Sequence, residues 1–253
     1  MLSFAIETAQ DAGKILLEKF GRDIDISKKG DIDLVTEADL ASEKFIIERI
    51  KNHYPKHSIL AEESGEAVFI GESKWKWIID PLDGTTNFAH GYPCFCVTLA
   101  IEHKEEIVIG VTYDPTRDEL FYAEKGKGAS LNGKPVKVSE TQKLSESLLV
   151  TGFPYNIAER EDFARHFVRM LLSSRAVRRD GAAAIDLAYV ACGRFDGFWE
   201  EGLNPWDVAA GVLMIEEAGG QISYYDGSPV SIYTPPLCAT NGFIHREMLA
   251  QFV

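Results

Sequence analysis

The sequence reads as a mixed α+β chain in two halves. Three observations carry that reading. Apolar residues recur at helical spacing in the opening segment, β-rich runs joined by short polar turns follow in the middle, and helices and strands resume after a polar stretch at 139–147. The 253 residues suffice for one large domain or two small ones sharing an interface, with expected units 1–140 and 141–253. A hydrophobic content of 45% and a charged content of 26% are those of an ordinary globular chain. The net charge of −13 argues against binding a nucleic-acid backbone, which needs a basic footprint.

Taken in order, Leu2, Ile6, Ala9, Gly13, Leu16 and Phe20 mark one face of a helix over 2–20, and Gly21 stops it. Residues 23–34 are polar and Gly-bearing, a loop or hairpin. Thr36 and Asp39 resemble a capping box opening a helix to about Asn52, although Asp stands in for the usual Glu or Gln. Asp39 is therefore explained by capping and the helix dipole alone. Ser58–Ala61 is a short strand followed by Glu62 and Glu63. Strand alternation lets only one of these acids point inward readily, and Glu62 is the expected one. Trp77–Ile79 is a buried strand expected to end at Asp80, because Pro81 has no N–H to donate within a central strand. Runs at 95–101, 107–113 and 119–123 predict an antiparallel meander, and Asn132-Gly133 predicts a tight hairpin.

The second half opens with a strand at 148–151. A helix is expected at 158–173 with Phe163, Phe167, Met170 and Leu171 on one side, then a short strand at 176–178. Gly181 to Gly193 is a small-residue helix, suited either to close packing or to close approach of a ligand. A strand at 195–200 ends at Glu200. Asn204 and Pro205 start another helix as N-cap and first residue, which stops at Gly219-Gly220. Asp207 lies in its first turn, where a carboxylate is favoured anyway. Strands near 221–225 and 237–240 and a helix near 244–251 finish the chain. Of the four cysteines, Cys94 and Cys96 share a strand face, and buried free thiols are expected rather than a zinc site. No opening stretch has the apolar core of a secretory segment and none approaches a membrane span, so the expected location is the cytoplasm.

The stretch Trp77-Ile78-Ile79-Asp80-Pro81-Leu82-Asp83-Gly84-Thr85-Thr86-Asn87-Phe88 carries the chemistry. Two carboxylates leave the end of a buried strand beside amides that a short helix start leaves unpaired. Carboxylates suit a hard cation and such amides suit a phosphate, although Asp-Pro-x-Asp-Gly is also a common turn. The whole string resembles the signature of the inositol monophosphatase family, W-I-I-D-P-[IL]-D-G-T-x-N-F. A second family signature is matched by Asn204-Pro205-Trp206-Asp207-Val208-Ala209-Ala210-Gly211 and by Glu217-Ala218-Gly219-Gly220.

The resemblance implies a layered α-β-α-β-α sandwich, the fold shared with fructose-1,6-bisphosphatase, and a lithium-sensitive, homodimeric phosphoric monoester hydrolase. It implies two to three Mg²⁺ per site, with Mn²⁺ as a substitute. Glu62, Asp80 and the Leu82 carbonyl would hold one ion, and Asp80, Asp83 and Asp207 a second. Thr85, with Glu62 or Asp39, would orient the attacking water, and the Gly84 and Thr85 amides would hold the phosphate. On the substrate side the resemblance implies Arg178, with Arg179 as its adjacent competitor, together with Gly181, Ala182, Ala183 and Glu200. Ala182 replaces the family's hydroxyl residue. The implied substrate is a small sugar or polyol monophosphate, foremost myo-inositol monophosphate. Fructose 1,6-bisphosphate, histidinol phosphate and 3′-phosphoadenosine 5′-phosphate are the rivals on this scaffold. Some bacterial relatives act as protein-binding regulators of transcription machinery, which stands as a non-catalytic alternative.

Overall fold

The computed structural model describes residues 1–22, 26–28, 34–67, 73–154, 160–233 and 236–253, with the backbone alone at 26–28, 34–35 and 66–67. Helix α1 (Leu2–Lys19) turns Ala5, Ala9, Ala12, Gly13 and Leu16 inward. A Cβ on Gly13 would lie 2.7 Å from the Tyr113 ring, so only glycine lets α1 approach so closely. Strands β1 (Ile26–Lys28) and β2 (Leu34–Thr36) pair antiparallel, while 29–33 of the expected hairpin lie outside the described residues. Helix α2 (Glu37–His53) starts on the expected capping box of Thr36 and Asp39.

Among the described residues there are two larger sheets. The first joins β3 (Ser58–Ala61), β4 (Gly65–Ala67), β5 (Trp75–Asp83), β6 (Cys96–His103), β7 (Glu106–Asp114), β8 (Glu119–Glu124), β9 (Ala129–Leu131) and β10 (Lys134–Val136), in the order β10-β9-β8-β7-β6-β5-β3-β4. The meander β6–β7–β8 is antiparallel as expected, and Asn132 (φ 48°) and Gly133 (φ 77°) form the tight β9–β10 turn. The second joins β11 (Leu148–Thr151), β12 (Ala176–Arg178), β13 (Gly197–Glu200), β14 (Gln221–Ser223) and β15 (Leu237–Thr240), in the order β12-β11-β13-β15-β14.

The layers follow from strand alternation. On β5, Trp77 and Ile79 face the core beneath α1 and α2, while Ile78 faces the opposite core. That second core holds Leu187 and Ala188 of α5 (Ala183–Ala191) and Val208 to Ile215 of α6 (Pro205–Glu217). On β13, Phe198 joins it and Trp199 turns to a third core. There Phe163 and Met170 of α4 (Glu161–Ser173) meet Met248 of α7 (His245–Leu249). The result is the expected α-β-α-β-α sandwich.

Two details differ from expectation. Strand β5 does not end at Asp80 but runs through Pro81 to Asp83. Its ladder with β3 stops at Ile79, and its register with β6 jumps between Asp80 and Asp83, so the missing N–H of Pro81 falls in an irregularity. On α4, Phe163 and Met170 are buried, but Leu171 is exposed with Val168 and Leu172.

Glu217 explains the two glycines after β8. Its carboxylate oxygens accept from the Gly126 and Gly128 amides, both at 2.7 Å. Glu217→Ala strips both amides of a charged acceptor. An expected loss of about 1–2 kcal/mol, read by denaturant unfolding, would measure that clamp.

Candidate active site

The site begins where β5 ends. Gly84 adopts φ 95° and caps the five-residue helix α3 (Thr85–Ala89). A Cβ there would stand 2.8 Å from the Cys94 carbonyl, so backbone angle and crowding both require glycine. The first amides of such a helix have no intrahelical acceptor and face outward as anion donors.

Helix α2 supports this turn from behind. Ser42 Oγ donates to the Pro81 carbonyl at 2.9 Å. Asp39 Oδ2 accepts from Thr36 N at 2.8 Å and Thr36 Oγ1 at 2.5 Å, and its Oδ1 accepts from Thr85 Oγ1 at 3.0 Å. Capping and site roles therefore fall to different oxygens of one carboxylate. Burial raises the pKa of Asp39, opposed by the bonds from Thr36 and Thr85. One turn on, Glu43 accepts from the Glu63 amide at 2.8 Å, while the Glu62 amide donates to the Ile79 carbonyl. Sequence reading passed over Glu43, although its i, i+4 spacing from Asp39 put it on the same helix face.

One cavity of about 370 Å³ gathers Glu62, Asp80, Leu82, Asp83, Gly84, Thr85 and Asp207 with Gly181, Ala182, Ala183 and Glu200. Asp39 reaches it through Thr85. Several of the carboxylates bind backbone amides. Asp80 Oδ1 accepts from Leu82 N at 3.0 Å, Asp83 Oδ2 from Ala184 N at 2.8 Å, and Asp207 Oδ2 from Asn204 N at 2.6 Å. The last bond closes a second capping box, with Asp207 in the first turn of α6. Cys96 touches the same Asp83 oxygen at 3.8 Å, and Cys94 and Cys96 are buried free thiols as expected.

The electrostatics of this cluster are one-sided. Burial raises the pKa of Asp80 well above the usual carboxylate range, and repulsion from Glu62, Asp83 and Asp207 adds to it. Burial carries Asp83 up to about 7, with the Ala184 amide opposing. Glu200 is likewise pushed well up by burial and then by Asp207 and Asp83, with Arg179 opposing. Among the described residues, no three His, Cys, Asp or Glu side chains are already drawn together as a closed cage. Oxygen-only donors, with Asp80 buried and Glu62, Asp83 and Asp207 half-buried around it, nevertheless fit a hard divalent cation such as Mg²⁺ better than a soft one.

Arg178 does not line the cavity. It is exposed, and its guanidinium donates to the Val177 carbonyl at 3.3 Å. The guanidinium in the lining is that of Arg179. Two further residues were missed. Asn87 Nδ2 lies 2.8 Å from the Cys94 carbonyl, 2.9 Å from that of Asp180 and 3.2 Å from that of Gly181, tying α3 to the loop before α5. Glu201 lines the rim, held by Arg160. Asn87 stood in the central stretch itself, where two of its three partners, Asp180 and Gly181 more than 90 residues away, could not be read.

Comparison with known proteins agrees with this geometry. The sequence profile described as "Inositol monophosphatase family" matches residues 1–253. The chain is 47% identical over 249 residues to "Inositol-1-monophosphatase" of Synechocystis sp., covering 98% of this chain and 86% of that protein. It is 42% identical over 253 residues to "Nus factor SuhB" of Escherichia coli, covering 99% and 94%. The solved structure of "extragenic suppressor protein suhB from Bartonella henselae" superposes with a TM-score of 0.94 at 39% identity, covering 99% and 97%.

Proposed function

Because this chain belongs to the inositol monophosphatase family and is a phosphoric monoester hydrolase, we propose that it hydrolyses a small polyol or sugar phosphate, foremost myo-inositol monophosphate, with Mg²⁺. The observation that carries this reading is the meeting of acids from three separate stretches, Glu62, Asp80 with Asp83, and Glu200 to Asp207, with the Gly84–Thr85 turn in one cavity. Glu62, Asp80, Asp83, Asp207 and the Leu82 carbonyl would hold Mg²⁺, which would supply Lewis acidity to acidify water and to offset charge on the departing oxygen.

The chain's own groups do the positioning. Thr85 Oγ1 lies 3.0 Å from Asp39 Oδ1 and 3.1 Å from the Leu82 carbonyl; with its one hydrogen given to either acceptor, its lone pairs accept from the attacking water and hold it in line with phosphorus. The amides of Gly84 and Thr85 donate to the phosphoryl oxygens, where negative charge must be held. Glu200 and the backbone of Gly181–Ala183 face the alcohol portion. Thr85→Ala should lower kcat about 10²-fold with little change in KM, and Thr85→Ser should keep most of the rate; steady-state kinetics reads both.

The test is a panel of phosphate esters assayed with purified enzyme, with Mg²⁺, Mn²⁺ and chelator. Failure of myo-inositol monophosphate to rank among the better substrates would displace it in favour of a rival on the same scaffold. A homodimer and a cytoplasmic location belong to the same proposal, as do lobes meeting near residue 140; sedimentation tests the dimer. Among the described residues, no helix is long and apolar enough to cross a membrane. The similarity to proteins named Nus factor SuhB favours a second reading, binding to transcription machinery. Pull-down with a hydrolysis-dead variant tests it, and recovery of neither polymerase nor ribosomal protein would remove it.

A further inference from the structure

Arg160 reaches toward the cavity without lining it. It is the N-cap residue of α4, and Asp162 in the first turn braces its guanidinium. Nε donates to Asp162 Oδ1 and Nη2 to Asp162 Oδ2, both at 3.2 Å. The same Nη2 donates to Glu201 Oε2, 41 residues on in the chain. Arg160 is half-buried, whereas Glu201 is buried at the cavity rim. A buried carboxylate is costly without a countercharge, and among the described residues Arg160 makes the one ion pair to Glu201. His166 and Tyr225 also feel the charge of Glu201, but neither offers a cation at neutral pH. Burial lowers the pKa of His166 and raises that of Tyr225.

The clasp falls where the sheet releases the chain. β13 pairs with β11 as far as Trp199 and with β15 as far as Glu200. Among the described residues, 201–203 then make no backbone–backbone hydrogen bond before the capping box of Asn204 and Asp207. Gly202 turns the chain there with φ 79°. Glu200 is thus the last residue that the ladder holds. Its carboxyl group lies so close over Gly152 that a Cβ there would overlap it. The side chain of the next residue, through Arg160, ties this end of β13 to α4.

We propose that Arg160 is a positioning residue for substrate recognition: by holding Glu201 it fixes the end of β13, so that the Glu200 carboxyl group meets hydroxyls on the alcohol portion of the ester. The inference rests on the phosphatase reading above and deepens it. Arg160 lies outside the cavity lining, away from the acids of the phosphate end. Its effect therefore falls on binding of the alcohol and not on the chemical step.

The experiment compares wild type with Arg160→Met and Arg160→Lys at fixed free Mg²⁺. Two substrates, myo-inositol 1-phosphate and glycerol 2-phosphate, carry hydroxyls on the alcohol portion; 4-nitrophenyl phosphate carries none. Arg160→Met should lose about 10-fold in kcat/KM on the hydroxylated esters, mainly through KM, and stay within about twofold of wild type on 4-nitrophenyl phosphate. Arg160→Lys keeps the positive charge and should recover most of the loss. The double variant Arg160→Met/Glu201→Gln leaves no buried charge unpaired, so it should melt close to wild type and still show the raised KM. Equal losses on all three esters, a loss in kcat alone, or an unchanged Arg160→Met enzyme would overturn the assignment. So would a wild-type KM in the double variant, which would trace the defect to an unpaired charge. Wild-type failure on all three esters would instead sink the underlying phosphatase reading.

Discussion

Asp83→Asn is expected to cut hydrolysis of every phosphate ester by about 10³-fold or more, because loss of several kcal/mol of cation-dependent stabilisation has that effect on rate. The fold should survive, and the reason lies in the geometry. Asp83 Oδ2 accepts from the Ala184 amide at 2.8 Å, a bond that an asparagine oxygen can keep. What disappears is charge, and charge is what the metal-free cluster tolerates least, since burial and neighbouring acids already push Asp80 and Asp83 toward the neutral form. The variant should therefore unfold in chelator at a temperature no lower than wild type. Its response to Mg²⁺, read as the cation-induced rise in melting temperature, should be largely gone. Near-normal turnover in a folded Asp83→Asn protein would refute the assignment of Asp83 as a metal ligand.

What the sequence showed and what it hid divide along the reach of each interaction. The capping boxes of Thr36–Asp39 and Asn204–Asp207 span three residues, so local rules found them. Those same rules gave each aspartate a sufficient local explanation, and so concealed that Asp39 also holds Thr85, 46 residues on. Strand alternation divides the side chains of β5 and β13 between two cores, which a continuous apolar run such as Trp77–Ile79 does not reveal by itself. At Pro81 a local rule misled. Proline is barred from a ladder only where a partner needs its N–H, and β3 has already stopped pairing at Ile79. The Arg178–Arg179 choice turned on one residue. β12 ends at Arg178, and adjacent side chains leave a strand end on opposite sides, so the exposed arginine and the cavity arginine are sequence neighbours.

The second large effect is on the pH dependence of stability, and it comes from the same carboxylates. Asp83 titrates near 7 in the folded chain, against an ordinary 3.8. Between those values the folded state holds a proton that the unfolded state has lost, so this group's contribution to stability falls as pH rises through the window and levels off above it. Three histidines, His245 buried and His57 and His166 half-buried, pull the other way. Burial lowers the pKa of His57, His166 and His245, so each favours unfolding as pH drops below the ordinary 6.5. Wild type alone would mix the two trends. The difference between Asp83→Asn and wild type removes the histidines, which the two proteins share. In chelator, the melting temperature of the variant minus that of wild type should be small near pH 4, grow as pH rises toward 7, and flatten above about pH 8. With Mg²⁺ the order should reverse, because the cation stabilises wild type by binding the deprotonated form and competes with protons for it. A difference in chelator that shrank with rising pH would mean that Asp83 is not the group held neutral by its surroundings, and the case for a repelling, cation-seeking cluster would lose its electrostatic support.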